Sequence, residues 1–240
     1  MNRTMKLSAI ALAAAALLSG CNDKPKSNGV VLNERVIEGE GGTKVIGEIW
    51  VDNWFSLAVN GEPLIEDSVA YNTERSFNAE RVTFAATLPM TLAFQVRDFK
   101  ENDTGLEYIG TDRQQMGDGG MIAQFRDVAT GKTIGVTDKA MRCLVVHRAP
   151  LDRACAGEKN PVAGEGVCNF SVTTVAENWT APDFDDSNWP AAVEHSVRDV
   201  SPKDGYDEIN WDQSAKLVWS EDLVQDNTLL CRMTISEQAK

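Results

Sequence analysis

Tryptophan is the residue type in this sequence best suited to ligand chemistry, because exposed aromatic rings can stack on sugar rings. The chain contains six tryptophans. Trp54, Trp179 and Trp211 stand in polar surroundings or at a strand start, and we interpret them as candidate platforms for a ligand. Trp50 and Trp219 lie in or near strand-like runs, and we expect them in the core. Burial is the alternative for all of them, since tryptophan is usually mostly buried.

The polar, glycine-rich segment 100–120 is the second candidate, because a loop this long in a compact domain is often functional. Its side chains suited to contact a ligand are Tyr108, Asp112, Arg113 and Gln114. Its acidic side chains also offer oxygens to Ca²⁺, which takes about six to eight of them. The calcium ligands predicted on this basis are Asp103, Glu107 and Asp118. A plain solvated acidic surface is the alternative.

Patterns for catalysis are weak. No Gly-x-Ser-x-Gly motif occurs, and no Cys/His arrangement stands out. His147 fits a structural role in a strand, and Ser196 follows His195, although neighbouring strand residues point to opposite faces. A glycosidase needs two convergent carboxylates, but 36 acidic residues supply a pair by chance. We therefore expect a protein that is not an enzyme.

Four cysteines remain when Cys21 is set aside: Cys143, Cys155, Cys168 and Cys231. Outside the cytosol they suggest two disulfides, for which three connectivities exist. Cys155 and Cys168 flank a Gly/Pro-rich loop, whereas Cys143 and Cys231 lie in strand-like runs. This placement favours Cys143–Cys231 and Cys155–Cys168. Zinc is the alternative, but no Cys-x-x-Cys pair occurs.

The N-terminus has the features of an export signal. Arg3 and Lys6 precede the apolar run 7–18, which is too short for a comfortable transmembrane helix. Leu18-Ser19-Gly20-Cys21 resembles a bacterial lipobox, which implies lipidation of the Cys21 thiol and cleavage before it. An ordinary secretory signal with a stray cysteine is the alternative.

This interpretation divides the chain into three parts. We expect a signal peptide over 1–20, a lipidated cysteine with a flexible tether over 21–29, and a single β-sandwich binding domain over 30–240. The lipid would hold the protein at a membrane of the cell envelope. Asn22 after the cysteine favours the outer membrane over the inner membrane.

Charge and composition exclude several classes of protein. There are 23 basic and 36 acidic residues, which give a formal net charge of −13. An acidic surface repels phosphate backbones, so we expect no nucleic-acid partner. A hydrophobic content of 42% supplies a core and excludes a wholly disordered chain.

Alternating apolar and polar residues recur along the chain and indicate β-strands. Phe55, Leu57 and Val59 alternate with polar or small residues and lead to Asn60-Gly61, a hairpin signal. Similar runs occur near 82–86, 91–96, 122–137, 144–147, 168–172 and 229–235. About ten such strands predict an all-β sandwich or jelly roll.

Four segments in order resemble the galactose-binding-like jelly rolls appended to bacterial rhamnosidases and β-galactosidases. They are 51–61, which ends in Val-Asn-Gly; 119–125 with the turn at 130–132; 137–142, where Met141 replaces a tryptophan; and 184–190, Phe-Asp-Asp-Ser-Asn-Trp-Pro. The resemblance implies a single jelly-roll domain, often with a structural calcium. It also implies a binding role rather than bond cleavage. Trp189 is expected to plug the sandwich.

Two classes of function follow, with hydrolysis a distant third. The first is a lipid-anchored, non-catalytic module that binds a carbohydrate or another cell-envelope polymer. The second is a scaffold or accessory subunit of a periplasmic or surface protein complex, with segment 100–120 as the contact. A glycoside hydrolase is the third.

Overall fold

The computed structural model describes residues 32–39, 41–71 and 77–237. The predicted signal peptide, Cys21 and the tether up to residue 29 lie outside these ranges. Within them, no helix is long and apolar enough to cross a membrane.

Strands dominate the described residues, and the short helical pieces lie in the connections. The strands are β1 (Leu32–Val36), β2 (Thr43–Asp52), β3 (Trp54–Val59), β4 (Glu62–Glu66), β5 (Ala79–Ala86), β6 (Met90–Arg97), β7 (Leu106–Glu107), β8 (Gln115–Met116), β9 (Gly120–Asp127), β10 (Thr133–Val136), β11 (Arg142–Arg148), β12 (Ser171–Val172), β13 (Val193–His195), β14 (Leu217–Trp219) and β15 (Asp226–Ile235). The helical pieces are α1 (Val197–Val200) and 3-10 turns at Arg153–Gly157 and Tyr206–Glu208.

The strands form two large sheets and one small ribbon. The seven-stranded sheet has the order β1-β5-β2-β9-β14-β13, with β10 also paired to β9. The six-stranded sheet has the order β12-β11-β15-β6-β3-β4, and β7 pairs with β8. The pairs are antiparallel except β1 with β5. The fold is an all-β sandwich, as the alternation in the sequence predicts.

The β3–β4 hairpin shows how local sequence sets the register. Asn60 and Gly61 adopt φ values of 52° and 91°, as the hairpin signal requires. On β3 the inward positions Phe55 and Leu57 are buried. Phe55 then packs on Phe94 of β6, with ring centroids 6.3 Å apart. The hairpin prediction is confirmed.

The main core lies between the two large sheets. Phe94 of the six-stranded sheet meets Phe125 of the seven-stranded sheet at a centroid distance of 6.4 Å. The disulfide between Cys143 and Cys231 joins adjacent positions of β11 and β15 within this core. Trp219 is also fully buried here, as the sequence predicts. Burial of this apolar surface is the main force that holds the sheets together.

The outer face of the seven-stranded sheet is covered by residues 196–216, which we call the covering segment. It starts with α1, whose capping box pairs Ser196 with Asp199. A second core fills the space beneath it, around the fully buried Trp50. The Trp50 indole donates to the carbonyl oxygen of Asp204 at 3.0 Å. This sheet face is therefore closed.

Loops at one end of the sandwich are joined by the second predicted disulfide, Cys155–Cys168. These cysteines form a small cluster with buried Leu106 of β7. Gln114 ties segment 100–120 to the same loop, because its amide donates to the carbonyl oxygen of Ala156 at 2.9 Å. Segment 100–120 is therefore a packed ribbon.

Candidate functional site

Residues 173–190, which we call the crossing segment, pass over the outer face of the six-stranded sheet. Arg232 of β15 holds this segment from below, and its side chain is only 3% exposed. The guanidinium donates to the carboxylate of Asp186 at 2.8 Å and to the carbonyl oxygens of Ala181 (3.0 Å) and Trp179. Charge-assisted bonds of this kind are the strong ones. These hydrogen bonds hold the crossing segment against the outer face of the sheet.

A cleft of about 500 Å³, the sheet-face cleft, opens beside the crossing segment. This volume is within the range of small-molecule sites. On β6 the residues Leu92, Phe94 and Val96 face the core, so Gln95 and Arg97 face the cleft. Other lining residues come from β11, β15 and the crossing segment: His147, Thr228 and Trp179.

Arg97 is the cation at the aromatic wall of the cleft. Its guanidinium carbon lies 5.2 Å from the ring centroid of Trp54 and 5.0 Å from that of Tyr71. These distances are those of cation–π contacts. The Arg97 Nε is buried without a hydrogen-bond partner. The contacts that the structure gives the Arg97 guanidinium among the described residues are those with the Trp54 and Tyr71 rings.

Tyr71 stays a neutral hydrogen-bonding group in this wall. Its hydroxyl donates to the carbonyl oxygen of Asp98 at 3.2 Å. Burial raises the pKa of Tyr71 to about 12, although the Arg97 charge acts in the opposite direction. The ring also packs near Phe99, at a centroid distance of 6.4 Å. Tyr71 is therefore held in place as a phenol at neutral pH.

His147 forms another part of the cleft wall. Its Nδ1 lies 3.2 Å from the Asn227 side-chain oxygen, and its ring stacks on Phe170 at 5.7 Å. Burial, and next the Lys100 charge, lower its pKa below the usual value, so the imidazole is neutral at pH 7. Its Nε2 lies 3.2 Å from Asp103 in an orientation that makes no hydrogen bond.

Trp179 separates the sheet-face cleft from a second depression of about 370 Å³. Its ring is half-buried and lies 6.5 Å from that of Trp189, at an interplanar angle of 31°. Trp189 is only 7% exposed and packs edge-on against Phe184 at 5.6 Å. Trp189 is thus buried, but it packs on rings of the crossing segment and does not belong to the core between the sheets, where the sequence analysis expected it to plug the sandwich.

The second depression is mostly apolar. The residues of β3 and β4 that line it are Leu57, Ala58, Pro63, Leu64 and Ile65. Thr180 of the crossing segment and Ala93 of β6 complete it. Together the two depressions give Trp179 a groove on each side.

The structure separates the sequence-predicted ligand residues into three places. Trp179 lines the sheet-face cleft, and Trp54 contacts the Arg97 guanidinium without lining the cleft itself. Tyr108, Asp112, Arg113 and Gln114 lie in the connection between β7 and β8, where the Arg113 guanidinium carbon is 4.4 Å from the Tyr108 ring centroid. Trp211 lies under the other sheet face, where its indole donates to the Tyr206 carbonyl oxygen at 3.0 Å. These residues therefore do not form one site.

The predicted calcium ligands also have separate partners. Asp103 accepts a hydrogen bond from Lys100 at 2.7 Å, and Asp118 accepts one from Lys203 at 3.1 Å. Glu107 accepts one from Gln115 at 2.8 Å. In the described parts of the chain, no three His, Cys, Asp or Glu side chains converge so that they could hold a metal ion. The calcium site stays a prediction.

A pair of buried carboxyls lies beneath the loops at the end of β2 and β6. Burial raises the pKa of Asp52 to about 7, against the opposing effect of Lys203, whose Nζ is 3.1 Å away. Burial also raises the pKa of Asp98 well above its usual value, and one carboxyl oxygen of Asp98 has no partner. Both side chains are 1% exposed, so they are inaccessible to a substrate.

Sequence reasoning missed most of the cleft. Tyr71, Gln95, Arg97 and Thr228 come from separate parts of the chain and meet only through the order of the strands. The available signal was the outward position of Gln95 and Arg97 on an otherwise apolar strand. Two large polar side chains in succession on one face of a central strand indicate a surface that is not covered.

Comparison with known proteins gives no further assignment: no protein-family model matches the chain, and no curated protein or solved structure matches it.

Proposed function

We propose that this protein is a non-catalytic, lipid-anchored binding module of the bacterial cell envelope. Its ligand is a carbohydrate or another envelope polymer, and its site is the sheet-face cleft. The observation that carries this proposal is Trp179, a half-buried tryptophan held over the sheet by Arg232 and bordered by two depressions. A fixed aromatic face between two grooves suits a chain of rings better than a compact ligand.

The polar groups of the cleft support a carbohydrate ligand. Gln95 and Thr228 supply neutral donors and acceptors, and Tyr71 adds an aromatic surface. Sugars present apolar ring faces and hydroxyl edges, so they need both kinds of contact. Sites of this kind combine aromatic walls with a few placed polar groups.

The small number of carboxylic side chains in the cleft supports binding rather than hydrolysis. Glu177 is the one carboxylic side chain among the described residues that line it. Glycoside hydrolysis uses a pair of carboxyls about 5–9.5 Å apart on either side of the bond. Asp52 and Asp98 are too buried to act as that pair.

For the finer fold and the location, we propose a galactose-binding-like jelly roll at the outer membrane. Two of the resembling segments support this fold. Segment 51–61 contains β3 and the turn through which it pairs with β4, and 184–190 forms a turn in which Ser187 donates its backbone N–H to Asp185 at 3.0 Å. The lipobox-like run ending in Cys21 supports lipid anchorage, and Asn22 supports the outer membrane.

A glycan array tests the proposed function. The full chain is purified in a detergent without sugar headgroups and applied beside its Trp179→Ala and Trp211→Ala variants. We expect a set of glycans that bind the wild type and Trp211→Ala but not Trp179→Ala. Glycan binding by none of the three proteins, or equal binding by all three, contradicts the proposal.

An accessory subunit of a protein complex is the second candidate. It is favoured by Leu151 and Val162, which are 47% and 49% exposed on the disulfide-bonded loop that contacts segment 100–120. Replacement of both by serine should abolish co-purification of a partner from envelope extracts without a change in melting temperature. Unchanged co-purification would remove this candidate.

A further inference from the structure

Arg97 has no acidic partner among the described residues, and four other arginines show the usual arrangement. Arg81, Arg148 and Arg232 each form an ion pair with a carboxylate at 2.8 Å. Arg35 forms one at 3.0 Å. Arg142 of β11 also lacks a carboxylate partner, but its guanidinium donates to the carbonyl oxygen of Trp189 at 3.4 Å. The acidic residues outnumber the basic ones, 36 to 23, so an unpaired arginine is not explained by a shortage of carboxylates.

The unpaired guanidinium of Arg97 is also held in place by its neighbours. Trp54 and Tyr71 hold it by cation–π contacts, at 5.2 and 5.0 Å, and its Nε is shielded from solvent without a partner. A buried donor of a charged group that has no acceptor is costly. The buried Nε is out of a ligand's reach, but the terminal nitrogens of the same guanidinium have no acceptor among the described residues, and Arg97 lines the cleft. A ligand acceptor in the cleft can therefore bond to a cation that is already held in place.

We propose that Arg97 binds the carboxylate of a sugar-acid unit, so that the glycan bound in the sheet-face cleft is an acidic, uronic-acid type of polymer. This inference rests on the proposed function, because it names the ligand class of the same cleft. A planar carboxylate matches the planar fork of a guanidinium and can accept two parallel hydrogen bonds from it.

The other charges of the cleft favour a ligand group with a single negative charge. His147 is neutral at pH 7 because burial lowers its pKa. Lys100 is engaged by Asp103 at 2.7 Å, and Glu177 adds a negative charge. Arg97 is thus the one fully available cation among the described lining residues. A dianionic phosphate would meet too little positive charge.

The neutral polar groups fit the rest of such a unit. Gln95 lies two residues before Arg97 on the same face of β6, and Thr228 lies opposite Arg97 on β15. Their side chains can bond to ring hydroxyls while Arg97 holds the carboxylate. Trp179 then supplies the stacking surface from the crossing segment.

Isothermal titration of the full chain in detergent without sugar headgroups tests this inference. The probes are oligomannuronate, oligogalacturonate and a glucuronate-containing oligosaccharide, each as the free acid and as the methyl ester. Heparin-derived and neutral oligosaccharides complete the set. We expect at least one free acid to bind, and its methyl ester to bind about 10- to 100-fold more weakly.

Substitutions at Arg97 test whether this residue is responsible for the difference in affinity between the acid and its ester. Arg97→Gln should weaken binding of the acid about 10- to 100-fold and leave the ester unchanged, and Arg97→Lys should lie between the two. Arg113→Gln is the matched control, since it removes an arginine from a cation–π contact outside the cleft, and it should bind like the wild type. If Arg97→Gln fails to fold, the acid and ester probes still test the contact on the unchanged protein.

The outcomes separate this inference from the proposed function. Equal affinity for acid and ester, or unchanged affinity of Arg97→Gln for the acid, overturns the acidic ligand while glycan binding stands. Stronger binding of the sulfated oligosaccharide than of every uronic acid also overturns the carboxylate assignment. Binding to no probe, together with an empty glycan array, overturns both proposals.

Discussion

The two outer faces of the sandwich are each crossed by an irregular segment, but only one of them is filled. The covering segment closes the seven-stranded sheet over Trp50, which is fully buried. The crossing segment touches the six-stranded sheet through Arg232 and leaves depressions of about 500 and 370 Å³ on either side of Trp179. The same residue type is therefore core on one face and cleft wall on the other.

The difference comes from what the segments bring to the sheet. The covering segment contributes buried Val200 and Ile209, which pack on the apolar Trp50 and Ile122. The sheet beneath the crossing segment instead presents Gln95 and similar polar residues. A segment cannot close over such groups unless it supplies partners for them. Whether a sheet face is covered or open is thus indicated better by its polar residues than by its aromatic residues.

The largest effect is expected from Trp50→Ala on the covered face. Loss of a large, fully buried aromatic side chain typically costs about 3–5 kcal/mol. We expect a fall of on the order of 10 °C in melting temperature by calorimetry. Glycan affinity of the folded fraction should not change. A fall below about 2 °C would mean that this face is not a second core.

Arg232→Ala should lower both the stability of the protein and its glycan binding, because it removes the contact that positions the crossing segment over the six-stranded sheet. Removal of one partner of a buried ion pair costs about 3–5 kcal/mol, here reduced because Asp186 remains partly solvated. We expect a lower melting temperature and complete loss of glycan binding. If binding survives in the folded fraction, the crossing segment is positioned by other contacts.

Trp179→Ala is the counterpart of Trp50→Ala. A central aromatic contact in a binding site is worth about 2 kcal/mol or more, or roughly 30-fold in affinity. Its half-exposed ring contributes less to folding, so the melting temperature should change by less than about 3 °C. Titration and calorimetry on both tryptophan variants should therefore give opposite results. If both variants lose affinity and melting temperature to the same extent, the two faces do not differ in role.

The smallest expected effect is the change of melting temperature with pH. It involves Asp52, which accepts a hydrogen bond from Lys203 of the covering segment. Burial raises the pKa of Asp52 to about 7, whereas an unfolded aspartate titrates near about 4. The stability from this proton is fully present below about pH 4 and is lost as the pH rises through about 7. We expect the melting temperature to rise by about 3 °C from pH 8 to pH 5.

Asp52→Asn should make this pH profile shallower, because the amide imitates the protonated carboxyl. Asp207→Asn on the exposed part of the covering segment is the control, and it should keep the wild-type slope. An Asp52→Asn profile as steep as that of the wild type would assign the dependence to other buried carboxyls, since burial also raises the pKa of Asp67 to about 7 and that of Asp98 well above its usual value.

The β-sandwich, the hairpin turn and the disulfides could be predicted because each depends on a pattern of residues close together in the sequence. Asn60-Gly61 specifies its own turn, and alternation on β3 and β6 indicates their buried faces. The disulfides followed from strand-like runs at Cys143 and Cys231 and from the loop between Cys155 and Cys168.

The remaining elements depend on distant partners. The strand predicted over 168–172 is limited to Ser171–Val172, because the disulfide to Cys155 and the turn from Glu165 to Cys168 hold its first part. The short β1 gains its place from parallel pairing with β5. The cleft joins β6, β11 and β15, an order that no local pattern contains.

The position of β15 has a consequence for how the protein matures. This strand lies between β11 and β6, although both precede it in the chain. A polypeptide emerging from its N-terminal side therefore displays two separate half-sheets until β15 arrives, and contacts so distant in sequence form slowly. Arg232 arrives on the same strand, so the crossing segment is positioned only then. The proposed ligand recognition would thereby depend on completed folding, because the cleft does not exist until β15 has joined the sheet.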